Sequence, residues 1–161
     1  MRTVNLIAAC SENRVIGNAG RIPWVLRGDN AFLKRQTLGQ TVVCGRRVLA
    51  EWPSVTRGRD VVVVTRNAGA LPEGARAAPD LRAALALAER EALRGGIYVC
   101  GGGRLYAEAL PLADRLFLTL VKGVFPGDRF FPEWRGVFTR EISRRRFREN
   151  GLEAEFLVLE R

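Results

Sequence analysis

The sequence predicts an α/β domain with a mostly parallel sheet and an antiparallel C-terminal edge. Short runs rich in β-branched residues alternate with helical patterns, which is typical of α/β proteins. The run Val61–Val64 is continuously apolar, as expected for a strand that helices cover on both faces. Residues 138–147 and 152–160 alternate apolar and polar side chains around Asn150-Gly151, which predicts a hairpin.

The length and composition indicate one globular domain over residues 1–161. The chain has 161 residues, of which 47% are hydrophobic and 27% are charged. Both fractions are close to those of an average soluble domain. A chain of this size can bury one sizeable core, so we exclude a disordered chain, a collagen-like repeat and a disulfide scaffold.

The remaining elements follow in chain order. Five runs predict strands at residues 4–10, 41–44, 60–65, 97–100 and 116–121. Helical patterns cover residues 30–38, 80–93 and 106–110, and Asp29 and Asp80 are candidate N-caps for the first two. Residues 11–24 have little periodicity, contain two glycines and end in Ile22-Pro23-Trp24. We expect them to form a loop that acts as a lid.

The charge balance is strongly basic. The chain has 26 Lys and Arg residues against 17 Asp and Glu residues, a formal net charge of +9. Such a balance suits nucleic acid, a site for polyanionic small molecules, or solvated faces rich in arginine. The dense run Arg144, Arg145, Arg146 and Arg148 lies in the predicted hairpin, where it suits the edge of a sheet better than a basic arm.

Two residue types restrict the chemistry. The chain has no histidine, which excludes a Ser-His-Asp triad and every metal site that contains histidine. Cys10, Cys44 and Cys100 are far apart and show no CxxC spacing, so we expect free thiols in a reducing cytoplasm and no bound metal.

No apolar run approaches the roughly 20 residues of a membrane span. The stretch before Cys10 is shorter than the apolar core of a signal peptide.

Asp29 is the carboxylate with a functional interpretation. It follows Ile22-Pro23-Trp24 and begins a helix whose inner face would carry Phe32 and Leu33. Helix capping alone explains its position. The alternative is a carboxylate at the mouth of the sheet, whose pKa apolar neighbours raise. Such a group could hold a cationic, amidine-like group and assist proton transfer.

Glycine occurs at two predicted strand-to-helix turns. Gly101-Gly102-Gly103 follows one strand, and Gly45-Arg46-Arg47 follows another. Backbone N–H groups at such turns can approach a phosphate, although a tight packing turn explains the glycines equally well. Thr65-Arg66 adds a basic residue after a third strand. Together these turns favour a dinucleotide.

Short motifs recur along the chain in an order and spacing that are specific when taken together. They are Leu6-Ile7-Ala8-Ala9, Asn13-Arg14-Val15-Ile16-Gly17, Ile22-Pro23-Trp24, Asp29, Lys34-Arg35, Thr37, Gly45-Arg46, Gly58-Arg59, Gly101-Gly102-Gly103-Arg104, Tyr106, Leu118-Thr119, and Gly127-Asp128 followed by Phe131-Pro132. On these residues the chain resembles the dihydrofolate reductases over essentially its whole length. The resemblance implies an eight-stranded, mostly parallel sheet with about four helices, and NADPH-dependent reduction of 7,8-dihydrofolate to tetrahydrofolate.

The resemblance also implies roles for single residues on the substrate side. Asp29 would bind the 2-amino and N3 side of the pterin and favour protonation at N5, with water delivering the proton. Thr119 would hydrogen-bond Asp29, and Trp24 would close the pocket and orient that water. Substrate would further contact the backbone carbonyls of Ile7 and Cys100, the apolar side chain of Leu33, and the basic residues Lys34 and Arg59, of which Arg59 would pair with the α-carboxylate.

On the cofactor side, the resemblance implies NADPH as the cofactor, with Arg46 and Arg66 facing its 2′-phosphate. The other implied contacts are Ala9, Ile16, Gly17, Gly45, Arg47, Val48, Thr65, Gly101, Gly102, Gly103, Arg104, Leu105 and Tyr106. We expect a cytoplasmic monomer whose partner is dihydrofolate, with neither nucleic acid nor membrane bound.

The sequence departs from the family pattern at several positions. Val48 stands where the family usually has threonine, which removes one hydroxyl contact to the pyrophosphate, and Leu33 stands where phenylalanine is common. Ile22 is a mild change in the lid. Trp52 and Thr56 lie where aliphatic residues usually surround the aminobenzoyl ring.

Two other functions remain as alternatives. A reductase of the riboflavin pathway has a related fold and also uses a reduced nicotinamide cofactor, but it is not expected to combine the Pro-Trp lid with Asp29 and Arg59. A basic nucleic-acid-binding module would explain the net charge of +9. It would require clustered arginines and exposed aromatic side chains on one face.

Overall fold

The computed structural model describes residues 2–67 and 69–161. In this part of the chain there are ten strands, four α-helices and one 3₁₀ helix. They are β1 Val4–Ser11, β2 Val15–Gly17, α1 Arg27–Thr37, β3 Thr41–Gly45, α2 Arg46–Glu51, β4 Asp60–Val64, β5 Ala75–Ala78, α3 Leu81–Arg90, β6 Ile97–Val99, α4 Gly103–Ala109, a 3₁₀ helix Leu110–Leu112, β7 Arg115–Val121, β8 Arg129–Phe130, β9 Arg140–Glu149 and β10 Leu152–Glu160.

Eight of these strands form one mixed sheet in the order β5-β4-β3-β6-β1-β7-β10-β9. The six strands from β5 to β7 are mutually parallel. The last two, β10 and β9, are antiparallel to their neighbours. The α/β class, the mostly parallel eight-stranded sheet and the C-terminal hairpin are therefore confirmed.

The apolar runs explain why the strands are central. Val42, Val43, Val61, Val62 and Val63 have no exposed surface, because their alternate side chains enter cores on opposite faces of the sheet. A strand that is buried on both faces has a continuous run of apolar residues, which is why the sequence of Val61–Val64 predicted such a strand.

The structure corrects two of the predicted elements and adds a strand, β5, that the sequence did not predict. The loop over residues 11–24 contains β2, which pairs with β8 across more than a hundred residues. Strand β5 has the sequence Ala-Arg-Ala-Ala, which has no β-branched residue, and pairs with β4 at the sheet edge. The first hairpin strand is β9, Arg140–Glu149, rather than residues 138–147.

Of the two predicted N-caps, Asp80 is confirmed and Asp29 is wrong. Asp80 caps α3, since its side chain accepts a hydrogen bond from the Ala83 backbone N–H at 2.8 Å. Asp29 does not cap α1, because the N-cap position is Leu26 and Asp29 lies in the first helical turn. Helix α4 begins at Gly103, three residues before the predicted start.

Three of the four arginines in the run on β9, Arg144, Arg146 and Arg148, pair with glutamates. Arg144 contacts Glu155 and Glu141, and Arg148 contacts Glu153. Glu155 is buried and also accepts a hydrogen bond from Lys122 at 2.6 Å. The hydrogen bonds from Lys122 and Arg144 hold the pKa of Glu155 below its ordinary value. The run therefore belongs to the sheet edge, as its position in the hairpin indicated.

Within the described ranges, no helix combines the length and apolar character that crossing a bilayer would require.

Leu118 provides a test of the core. It has no exposed surface and lies on β7 between Ala8 of β1 and Leu157 of β10. Leu118→Ala should lower the free energy of unfolding by about 2–5 kcal/mol, because truncation leaves a cavity. Denaturant titration measures this loss. Ile142→Ala on exposed β9 is the control, and an equal, small effect of both changes would contradict the placement of Leu118.

Candidate active site

A cavity of about 920 Å³ lies at the carboxyl ends of β3, β4 and β6. Its walls include the turns that follow these strands, together with β2 and the inner side of α1. Ligands of open parallel sheets bind at such ends, and the volume lies at the upper end of the range for small-molecule sites. The cavity is therefore the candidate site.

Asp29 reaches this cavity from the first turn of α1. Its Oδ1 accepts a hydrogen bond from the Thr119 hydroxyl at 2.7 Å. Thr119 is buried on β7, between Ala9 of β1 and Phe156 of β10. The carboxylate is thus fixed between a helix and the middle of the sheet.

Burial raises the pKa of Asp29 above its ordinary value, and the hydrogen bond from Thr119 partly opposes this rise. A neutral hydroxyl stabilises the carboxylate less than water does, so the desolvation effect is the larger one. A carboxyl group with a raised pKa in a cleft is suited to proton transfer and to binding a cation.

Trp24 is not part of the cavity lining. It is buried in a cluster with Leu26, Val121 and Ala154, and Phe125 contacts it edge to face at 5.3 Å between ring centroids. This packing fixes the chain that leads into α1.

The two glycine turns lie against each other. The Gly45 N–H donates to the Gly101 carbonyl at 3.0 Å. Gly101 has φ +107°, and a Cβ there would lie 3.1 Å from the Tyr106 ring, so glycine is required at this position. The Tyr106 hydroxyl donates to the Ile7 carbonyl at 2.8 Å. That carbonyl keeps a second lone pair for a ligand.

Three arginines of the candidate cofactor side lie in different environments. Arg46 donates to the Thr65 hydroxyl at 3.0 Å and to the Gly69 carbonyl at 2.8 Å, so it ties together the loop after β4. Arg47 forms an ion pair with Glu51 at 3.5 Å. Arg66 is exposed and lines the cavity.

Arg59 is a buried arginine outside the cavity lining. Its guanidinium donates to the Thr37 hydroxyl at 2.8 Å, to the Arg57 carbonyl at 2.8 Å and to the Lys34 carbonyl at 2.7 Å. It also lies over the Trp52 ring, 4.7 Å from the centroid. Three of its five N–H donors are used in these bonds.

Comparisons with known proteins agree with this geometry. The family model described as dihydrofolate reductase matches residues 3–161. The chain belongs to the dihydrofolate reductase family. It is 41% identical to dihydrofolate reductase type 3 of Salmonella typhimurium, with 98% of each chain covered. It is 38% identical to dihydrofolate reductase of Mycobacterium tuberculosis (strain ATCC 25618 / H37Rv), with 94% of each covered.

A solved structure supports the same assignment. Dihydrofolate reductase from Enterococcus faecalis, complexed with NADP(H) and RAB-propyl, superimposes with a TM-score of 0.84 at 27% identity. The match covers 99% of this chain and 96% of that one. Reduction of dihydrofolate with NADPH is the function of the dihydrofolate reductase family.

The glycine turns fit the cofactor of a dihydrofolate reductase. A Cβ built at Gly102 would meet no atom within 4 Å, and one at Gly45 would meet only backbone atoms of Gly101 and Gly102, at 3.9 Å and 4.0 Å. The turns therefore present bare backbone to the cavity, where a pyrophosphate can approach closely.

The structure brings most of the residues expected of a dihydrofolate reductase to one cavity. Its lining contains Ile7, Ala9, Ile16, Gly17, Asp29, Leu33, Lys34, Gly45, Arg46, Arg47, Val48, Thr65, Arg66, Cys100, Gly101, Gly102, Gly103, Arg104, Leu105 and Tyr106. Trp24, Thr119 and Arg59 are outside this lining. Thr119 touches Asp29 directly, whereas Trp24 and Arg59 pack behind the wall.

The sequence interpretation missed several lining residues, among them Arg129 and Arg21. Arg129 reaches the cavity because β8 pairs with β2, and its side chain passes 3.5 Å from the Cβ position of Gly17. A two-residue strand leaves no periodic signal, so only the long-range pairing could have revealed it.

The raised pKa of Asp29 predicts an effect on stability. The native state keeps the Asp29 proton at pH values where the unfolded chain, with an ordinary pKa of 3.8, has lost it. Stability from this group is therefore present at low pH and is lost as the pH rises through the raised native pKa. Asparagine has no charge to bury, so the Asp29→Asn variant should have a larger free energy of unfolding than the wild type at pH 7. The difference between the two proteins should become smaller toward pH 4.

Denaturant titrations between pH 4 and pH 8 measure the gap. Asp114→Asn, the same change at a carboxylate that accepts the Val4 N–H outside the cavity, is the control. A gap that is independent of pH would contradict the assigned burial of the Asp29 charge.

Proposed function

We propose that this protein reduces 7,8-dihydrofolate to 5,6,7,8-tetrahydrofolate with NADPH, and that Asp29 binds the pterin and assists its protonation. The observation that carries the proposal is the partly buried Asp29 carboxyl. Its pKa is raised, it is bonded to Thr119, and it opens into the same cavity as two glycine turns. Membership of the dihydrofolate reductase family supports the same reaction.

NADPH supplies the hydride when bound, and a proton added at N5 completes the reduction. Asp29 accepts hydrogen bonds from the 2-amino and N3 side of the pterin and thereby fixes the orientation of the ring. The Thr119 hydroxyl holds the carboxyl in place. Because burial raises its pKa, Asp29 keeps a proton to higher pH than an exposed aspartate does, which favours proton transfer in the pocket. Trp24 packs against Leu26, the residue that precedes α1, and so helps to hold the start of this helix in place.

At the other end of the substrate, we assign Arg59 to the α-carboxylate. Its bonds to Thr37 and to the Lys34 carbonyl hold the guanidinium in one orientation before substrate arrives. A fixed, planar donor group loses little entropy when it binds a carboxylate. Lys34 is exposed at the same end of the cavity and adds positive charge there.

For the cofactor, we assign Arg66 and Arg46 to the 2′-phosphate. Arg66 is exposed on the cavity wall, and Arg46 is already anchored to the loop after β4.

The protein is proposed to act as a monomer in the cytoplasm. The free thiols of Cys10, Cys44 and Cys100 support a reducing compartment.

Asp29→Asn tests the catalytic assignment. Asparagine preserves the shape but cannot carry the proton, so kcat at pH 7 should fall by roughly 10²-fold or more. Activity should recover partly at acid pH, where substrate arrives already protonated. Loss of NADPH absorbance at 340 nm, dependent on dihydrofolate, measures the rate. Asp114→Asn should retain wild-type turnover, and wild-type turnover of Asp29→Asn would refute the role.

Arg66→Ala tests the cofactor assignment without disturbing the contacts that Arg46 makes to its loop. A charge-assisted contact contributes about 1.5–3 kcal/mol, so the Kd for NADPH should rise by about tenfold or more while the Kd for NADH stays unchanged. The salt dependence of NADPH binding should also become weaker. Arg82→Ala on α3 is the control. An equal loss of affinity for both cofactors would show that Arg66 does not contact the 2′-phosphate.

A further inference from the structure

Helix α1 begins without a cap of its own. Its N-cap residue is Leu26, whose side chain makes no capping hydrogen bond. The first backbone N–H groups of a helix have no partner within the helix. Here two of them donate to one side chain: the Arg27 N–H to Glu149 Oε2 at 2.5 Å, and the Gly28 N–H to Glu149 Oε1 at 3.0 Å. Glu149 is the last residue of β9, more than a hundred residues further along the chain.

The surrounding contacts fit this carboxylate closely. A Cβ at Gly28 would lie 3.3 Å from the Phe147 ring and 3.4 Å from Glu149 Oε1, so a side chain at this position would press on the cap. Asn150 donates to the Val25 carbonyl at 2.9 Å. The end of β9 therefore lies directly on the segment that leads into α1.

Aromatic side chains connect the same elements. The Phe147 ring stacks on Phe156 at 4.4 Å, and Phe156 stacks on Phe32 of α1 at 4.6 Å. Phe156 is also the β10 partner of Thr119 in the sheet. Thr119 and Glu149 thus reach the first turn of α1 from one continuous group of antiparallel strands.

We propose that Glu149 is a positioning residue for Asp29. By accepting from two consecutive N–H groups, it fixes the turn that holds Asp29 against Thr119 and away from water. A carboxylate is well suited to this place, because it accepts two hydrogen bonds and complements the positive end of the helix. This inference rests on the proposed role of Asp29 in protonation.

Removing the Glu149 side chain should change how the reaction rate depends on pH. Burial is the main cause of the raised Asp29 pKa, so a looser first turn admits water and lowers that pKa toward its ordinary value. The alkaline decline of the rate then begins at lower pH. Tyr106 on α4 interacts electrostatically with Asp29 and with Cys100 after β6. Lys34 lies on the same helix as Asp29, and Glu149 accepts from the first turn of that helix. Burial keeps Tyr106 and Cys100 neutral, since it raises both pKa values.

The test compares Glu149→Ala and Glu149→Gln with Glu153→Ala. Glu153 lies in the same hairpin and pairs with Arg148, without contacting α1 in the described structure. In Glu149→Ala, amide hydrogen exchange at Arg27 and Gly28 should accelerate by tenfold or more. The value of kcat at pH 7 should fall by about tenfold, as expected for a slightly misplaced group. The Kd for NADPH should stay within about twofold, because the Arg27 and Gly28 N–H groups that Glu149 caps are not in the lining of the cavity.

Glutamine accepts only one of the two hydrogen bonds, so Glu149→Gln should lie between wild type and Glu149→Ala in exchange, kcat and pH profile. Glu153→Ala should match the wild type in all three. If Glu149→Ala does not fold, the glutamine variant carries the test.

Two results would overturn the proposal: a kcat and pH profile for both Glu149 variants equal to those of Glu153→Ala, or a loss of kcat without change in exchange or pH profile. A different result would contradict the proposed function, namely wild-type turnover in Asp29→Asn. If Asp29→Asn is inactive and the Glu149 variants are unaffected, the role of Glu149 is wrong and the proposed function stands.

Discussion

The hydrogen bond between Thr119 and Asp29 is the contact on which the rest of the site depends. It joins α1 to β7, and so to the middle of the sheet. A carboxylate moved out of water loses more solvation than one hydroxyl restores, which is why its pKa rises. Under the proposed function, this carboxyl is the group that assists protonation of the substrate. Everything packed around α1 serves to hold that group where it is.

The parallel half of the sheet provides the second requirement, a cleft lined by backbone. Strands β3, β4 and β6 end at one edge, and their turns carry glycine or arginine. Because Gly45 bonds to Gly101 across this edge, the two turns form one surface rather than two separate loops. Part of the basic excess lies at the cavity, which Arg46, Arg47, Arg66 and Arg104 line. Another part lies on β9, where Arg144 and Arg148 pair with glutamates.

The sequence predicted the parts of the fold that local patterns determine. Val61–Val64 predicted a doubly covered strand, Asp80 predicted the start of α3, and the motifs predicted most of the cavity lining. It did not predict β5, because pairing with β4 alone makes Ala-Arg-Ala-Ala a strand. The sequence also predicted the wrong cap for α1. Aspartate is a common N-cap residue, but the side chain that accepts from the first N–H groups of α1 is that of Glu149. Interactions across more than a hundred residues leave no local signal.

The hairpin explains how one exposed strand serves two purposes. Side chains alternate faces along a strand, so Arg144 and Arg148 meet glutamates while Phe147 and Glu149 meet α1. The arginines on β9 also discourage pairing with another chain at this open edge. Asn150 and Gly151 both have positive φ, of 53° and 73°, as the tight turn between β9 and β10 requires. A slip of one residue would turn Arg148 toward α1 and Glu149 away from it. The turn therefore sets the register that places a glutamate at the start of the helix carrying Asp29.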